Sequence, residues 1–274
     1  MGYSRQYYYK LKKTEHINSE ELAKIKELVQ EQRKVLSSLG TRKLHHKLKM
    51  RFAEHCIKCG RDKLFKYMAQ WNLKIQPRRR YVQTTNSKHW LRRYPNLTKG
   101  MGVQYADKLW VSDITYIKTQ EGTCYINMVT DAYSKKIMGY TVSDNMETQS
   151  VIGAYKMALQ NKVNKEIQTI HHSDRGLQYC SKEYVELCLQ NNFRISMTEN
   201  GDPYENALAE RMNRTIKEEF GLGATIKNKL MAKLLMDEVV TLYNEYRPHL
   251  SLNYKTPNDI YKKSLTNIQE VRDN

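Results

Sequence analysis

KLWVSDITYIK (residues 108–118), with TCYINMVTDA (123–132) and KIMGYTVS (136–143) after it, is rich in β-branched and aromatic residues and is broken only by the turn material EGT and SKK. Three antiparallel strands are the reading this pattern predicts. Working outward, the pattern changes to alternation. A helix is predicted from about Glu147 to Asn161, a strand over IQTIHHS (167–173), a helix from Ser181 to Gln190 and a strand over FRISMT (193–198). A long helix then begins near Pro203 or Tyr204 and carries Glu210, and another runs from about Leu230 to Tyr246 into RPHLSLNYKTPNDIY (247–261). Three strands followed by alternating helix and strand make an α/β layer arrangement.

Upstream, the period is helical. Asn18 followed three residues later by Glu21 reads as a capping box, with Leu22, Ile25, Leu28, Val29 and Leu36 recurring at helical spacing to about Ser38. Thr41 is placed to cap a second helix with Leu44, Leu48 and Phe52 on one face and Arg42, Lys43, Lys47 and Lys49 on the others. A third helix runs from about Arg61 to Trp71, before the extended LKIQPRRRYV (73–82). Three short basic helices and an extended segment suggest a helix-turn-helix or winged-helix module. Residues 83–103 lack a period and contain Pro95, Gly100 and Gly102, as a linker does. The expected organisation is therefore a basic region (1–82), a linker (83–103), an α/β core (104–220) and a C-terminal helical extension (221–274).

The chain has 274 residues and a formal net charge of +17. Residues 1–100 hold 25 basic and 7 acidic residues, so the excess lies in one segment. Such an asymmetry points to a polyanionic partner, nucleic acid above all. No apolar run reaches the roughly 18–20 residues of a membrane span, and the N-terminal MGYSRQYYYKLKK has no apolar core of a signal peptide. Five cysteines, an odd number, make no disulfide framework. Cys56 and Cys59, near His45, His46 and His55, supply half a zinc site at most, and packing is the expected role of both thiols.

Three carboxylates stand out by position. Asp113 falls inside the first strand between Val111 and Ile114, where a charge is costly without a partner or a cation. Asp174 directly follows the fourth strand in HHSDRGLQY (171–179), and Glu210 lies on the helix after the fifth. A strand-centre Asp, a strand-end Asp and a helix Glu are what an RNase H-like mixed sheet with flanking helices brings together. Phosphodiester chemistry needs a deprotonated attacking oxygen and a stabilised leaving oxygen, which two Mg²⁺ ions supply. Such hard cations are held by two or three carboxylates and water. No Ser-His-Asp or Cys-His arrangement competes. His171 and His172 are read as strand-end packing rather than as ligands.

Several blocks carry a resemblance: WVSDITYI (110–117), MVTDAYSKKIMGY (128–140), HHSDRGLQY, ENGDPYENALAERMNRTIKEE (199–219) and YNEYRPHLSLNYKTPNDIY (243–261). With GTRKLHHKLK (40–49), GRDKLFKYM (60–68) and LKIQPRRRY (73–81), the chain resembles the downstream reading frame of insertion-sequence-three family transposases, bacterial relatives of retroviral integrases. Glu205 stands where that family's pattern usually has Asp, one carboxylate for another. The resemblance implies a DDE-type transposase in which Asp113, Asp174 and Glu210 bind two Mg²⁺ ions, with Mn²⁺ able to substitute. It also implies a catalytic role for Lys217, which helix geometry places on the face of Glu210 two turns on. Asn206 and Arg214 share that stripe and, with Arg42, Lys43, Lys47, Arg78, Arg79 and Arg80, are the candidate DNA contacts. Further implications are double-stranded DNA as partner (element ends and target), a homo-oligomer on DNA, and an upstream-frame product joined by frameshift fusion. A nucleoid-associated place in the bacterial cytoplasm, with no membrane, is expected. Two rival readings are a DNA-binding regulator without activity and an RNase H-type nuclease that cuts but does not join.

Overall fold

A computed structural model describes residues 5–75, 91–199 and 203–272. The chain divides into two compact units, residues 1–77 and 78–274.

The first unit is helical: α1 (Arg5–Val35), α2 (Thr41–Glu54) and α3 (Arg61–Gln70). Ile25, Leu28 and Val29 of α1, Leu44, Leu48 and Phe52 of α2, and Leu64 and Met68 of α3 are all buried. The apolar spacing predicts these faces. Two caps differ from expectation. The first helix starts at Arg5 and runs unbroken past Asn18, because an asparagine in a helix interior costs only a fraction of a kcal/mol. Gly40, not Thr41, is the cap of α2, and Thr41 is buried in its first turn. Arg42 is exposed and Lys43 and Lys47 are half-buried. Arg78, Arg79 and Arg80 lie outside the described residues, as do much of the 73–82 segment and the start of the expected linker. Cys56 is exposed and Cys59 buried, and His45 Nε2 lies 3.0 Å from the Cys59 carbonyl oxygen.

The second unit is built on a five-stranded sheet of β1 (Leu109–Thr119), β2 (Gly122–Asp131), β3 (Ile137–Ser143), β4 (Thr169–Ser173) and β5 (Phe193–Met197), in the order β3-β2-β1-β4-β5. The first three strands pair antiparallel, and β4 and β5 pair parallel on the other side of β1. That mixed sheet with flanking helices is the RNase H-like arrangement the sequence predicts. Alternation along β1 sorts its side chains. Trp110 and Ile114 join a core under α4 (Thr148–Asn161), α5 (Leu177–Cys180) and α6 (Lys182–Gln190). On the opposite face, Leu109 and Val111 meet Ala209 of α7 (Ala207–Glu219), and Ile117 meets Met212 and Ile216. Asp113 has the parity of that second face. A 3-10 turn over Pro203–Asn206 precedes α7, so the helix that carries Glu210 starts a turn later than predicted.

The C-terminal helices are part of this body. α8 (Lys229–Thr241) buries Ala232, Met236 and Val239 against α7 and the sheet and ends in one π-turn, Leu242–Tyr246. α9 (Pro257–Arg272) lies in the expected C-terminal helical extension and begins inside RPHLSLNYKTPNDIY, a stretch for which the sequence reading names no helix. Polar contacts fasten it: Tyr261 donates to Asp107 Oδ2 (2.9 Å), and Ser264 Oγ accepts from the Ala106 amide (2.8 Å). Asp107 also accepts from Trp110 Nε1 (3.1 Å), and its amide donates to Asp131 Oδ2 (2.8 Å). Arg247, 5% exposed, forks onto Glu219 at 2.8 and 2.6 Å and ties the end of α7 to the chain after α8. Among the described residues no helix is long and apolar enough to cross a membrane.

Burial pushes the Asp107 carboxyl up, and the donors from Tyr261 and Trp110 pull it back. Tyr261→Phe deletes one donor and leaves a buried carboxylate oxygen short of a partner. We expect a loss of about 1–2 kcal/mol, read as a melting temperature lower by roughly 2–6 °C. An unchanged melting temperature would show that α9 is not fastened through this bond.

Candidate active site

The parallel ladder between β1 and β4 pairs Leu109 with Ile170, Trp110 with His171 and Val111 with His172. Extending that register by two residues sets Asp113 level with Asp174, just past the end of β4. Their separation along the chain equals the offset of the strand pairing. Asp174 Oδ1 accepts from the Gly176 amide at 3.0 Å, and a Cβ on Gly176 would lie 3.1 Å from that oxygen, so glycine suits this turn.

α7 delivers the third carboxylate. Asn206 at its N-cap donates through Nδ2 to the carbonyl oxygen of Ser112 (3.0 Å), and Asn213 donates through Nδ2 to Asp113 Oδ2 (2.7 Å). Asp113 Oδ1 accepts from the Ile114 amide (2.9 Å). Burial and the charges of Asp174 and Glu210 push the Asp113 carboxyl up to about 7, against the pull of the Ile114 amide and Asn213. Burial also raises Glu210, and Arg214, one turn on, pulls it down. Lys217 is half-buried with Nζ 4.6 Å from the centre of the Tyr116 ring. Burial lowers its pKa and the charge of Asp113 raises it.

The structure thus brings Asp113, Asp174 and Glu210 into electrostatic contact, with Lys217 and Arg214 beside them. Asn206, expected at DNA, is 6% exposed and is turned onto β1. Its position at the start of α7, beneath the helix rather than on its outer face, is the reason. His171 and His172, each 1% exposed, are structural as expected. His171 Nε2 lies 2.6 Å from Ser112 Oγ and Nδ1 lies 2.8 Å from the Tyr184 hydroxyl, and burial holds the ring neutral, near 3. His172 Nε2 donates to the Glu205 carbonyl oxygen (3.0 Å), which makes Nδ1 the acceptor from Ser196 Oγ (2.8 Å). This ring joins β4 and β5 to the turn that launches α7. Sequence reading missed Asn213, although its spacing of three from Glu210 places it on the same helix face.

A cation fits this donor set. The charges of Asp174 and Glu210 both act on Asp113, and all three carboxylates are hard oxygen donors. The Oδ1 atoms of Asn206 and Asn213, whose Nδ2 groups reach Ser112 and Asp113, are buried without a hydrogen-bond partner. Among the described residues no three acidic, histidine or cysteine groups are close enough to hold one ion by themselves. Mg²⁺, which takes one or two carboxylates and keeps several waters, does not need three.

Residues 104–203 match the integrase core domain family, and residues 191–257 match a second family of the same description. An insertion element IS600 31 kDa protein of Shigella sonnei is 34% identical over 80% of this chain and 79% of its own length. A transposase for insertion sequence element IS629, also of Shigella sonnei, is 30% identical over 77% of this chain and 71% of its own length. Transposase InsF for insertion sequence IS3A of Escherichia coli strain K12 is 32% identical over 57% of this chain and 54% of its own length.

A carboxyl held at about 7, against 3.8 for an aspartate in open water, binds its proton more tightly in the folded chain. The stabilisation this gives is complete below the lower value and is lost as pH rises through the upper one. Asp113→Asn removes the titration. With chelator present, the wild-type melting temperature should fall from pH 5 to pH 8 more steeply than the variant's, leaving the variant roughly 3–6 °C more stable at pH 8. Parallel profiles for the two proteins would rule Asp113 out as the titrating group.

Proposed function

The chain belongs to the insertion-sequence-three family of DDE transposases, and on that premise we infer which of its residues carry the chemistry. It is a polynucleotidyl transferase with an integrase core that uses divalent metal. Our reading assigns Asp113, Asp174 and Glu210 as the ligands of two Mg²⁺ ions, with Mn²⁺ as a substitute. The observation that carries this assignment is that carboxylates from the end of β4 and from α7 act on the buried Asp113 of β1, so that burial first and their charges second raise it to about 7. Bound there, the ions stabilise charge on the attacking and the leaving oxygens.

Water is the first nucleophile and frees a 3′-OH at the element's end. That 3′-OH then attacks a second phosphodiester. In each step a P–O bond forms as another breaks, so neither an energy source nor a covalent enzyme intermediate is required. Lys217, fixed over Tyr116 with its charge beside Asp113, is assigned to a DNA phosphate near the reacting one. Arg214 and the basic side chains Arg42, Lys43 and Lys47 are assigned to the DNA backbone, as are Arg78, Arg79 and Arg80. The buried Asn206 is reassigned from DNA contact to holding α7. The protein acts as an oligomer on element ends and target DNA in the bacterial cytoplasm, at the nucleoid, joined to an upstream-frame product.

The test is strand transfer in Mg²⁺ with an element-end duplex that has a free 3′-OH, using the chain alone and fused to the upstream product. Joined product is expected. Asp113→Asn, Asp174→Asn and Glu210→Gln should each lower joining by about 10³-fold or more with DNA affinity unchanged. Cutting without joining would identify a nuclease, and binding with neither reaction a regulator. Replacing Arg42, Lys43 and Lys47 together by alanine should flatten the plot of log K against log salt by about 0.9 for each phosphate that is no longer neutralised. An unaltered slope would remove α2 from the interface.

A further inference from the structure

Glu210 lies between two asparagines of its own helix face, Asn206 four residues before it and Asn213 three after. Both are more than nine-tenths buried, at 6% and 7% exposure, and both reach β1. Asn206 grips the main chain one residue before Asp113, and Asn213 grips the Asp113 carboxylate itself. Each uses Nδ2, and each leaves Oδ1 buried without a partner. Buried polar atoms are rarely left so, and two on one helix face that reach neighbouring residues of β1, Ser112 and Asp113, share a cause.

The choice of side chain is informative. An aspartate at 213 would add to the repulsion already acting on Asp113. A lysine or arginine there would neutralise Asp113 and compete with a cation for it. A neutral amide fixes the carboxylate's orientation and leaves its charge in place.

The geometry points to Asn206 and Asn213 as positioning residues that preassemble the site. They set the separation of Asp113 and Glu210 before a cation or DNA arrives, and their unpaired Oδ1 atoms accept from the water shell of the cation. This rests on the metal assignment made above.

Mn²⁺ binding to the full chain without DNA, followed by the loss of the free-ion electron paramagnetic resonance signal, tests it. Asn213→Ala should weaken Mn²⁺ binding about tenfold and Asn206→Ala by a smaller factor, with DNA affinity unchanged. Asn213→Ser, which keeps a donor on a shorter arm, should fall between wild type and alanine, and it carries the test if the alanine variant does not fold. In strand transfer, the half-saturating Mg²⁺ concentration should rise by the same factors while the rate at saturating metal stays within about threefold. Wild-type Mn²⁺ affinity in the folded Asn213 variants would overturn this inference alone. A wild-type chain that binds no Mn²⁺ would overturn the metal assignment and the inference with it.

Discussion

The parallel pairing of β1 with β4 is the constraint on which the site depends. Its register, extended two residues, sets Asp174, just past the end of β4, level with Asp113. A slip of one residue would turn every β4 side chain to the opposite face. Asp174 would leave Asp113, and the core that His171 and Ile170 join on opposite sides of the sheet would be lost. The register that buries the apolar residues is therefore the same one that forces two carboxylates together. Burial and the repulsion this creates together raise the pKa of Asp113, and both are costs that the surrounding core must offset.

That offset comes from contacts on both faces of the sheet. On one, Trp110, Tyr155, Tyr179, Tyr184 and Phe193 close an aromatic core around the neutral His171, whose ring meets Ser112 and Tyr184. On the other, α7 lies along β1, with Ala209 on Val111 and Ile216 near Ile117. His172 adds a link from β4 to the turn before α7. Glu210 is thus held by a helix fixed through its packing, through His172 and through two asparagines. Substitutions in this second layer are predicted to alter the site without touching substrate.

The C-terminal helices extend the same logic. Arg247 and Glu219 pair with low exposure, a geometry in which breaking one partner costs far more than the pair itself contributes. Glu219 ends α7, so the pair secures the far end of the helix that carries Glu210. Asp107, Asp131 and Tyr261 secure the start of β1 in the same way. The start of β1 and the end of α7, the elements that carry Asp113 and Glu210, are thereby fastened by segments distant in sequence.

Much of this was legible in the chain itself. Period-two runs marked β1, β2 and β3, because alternating side chains face alternate sides of a sheet. The positions of Asp113, Asp174 and Glu210 within predicted elements marked the candidate site. Local pattern could not show α9, whose apolar face is interrupted and whose anchors are the polar Tyr261 and Ser264. Nor could it place Asn206, which looked like an outward DNA contact until α7 was laid on β1. Asn213 had the right helix spacing, but its bond to Asp113 joins residues a hundred positions apart. Sequence determined the strands, the other long helices and the charges that lie on them, since those follow from local periodicity and composition. Only the tertiary structure decided which amide meets which carboxylate and which charges raise the pKa of Asp113, because those depend on strand register and helix docking between distant segments.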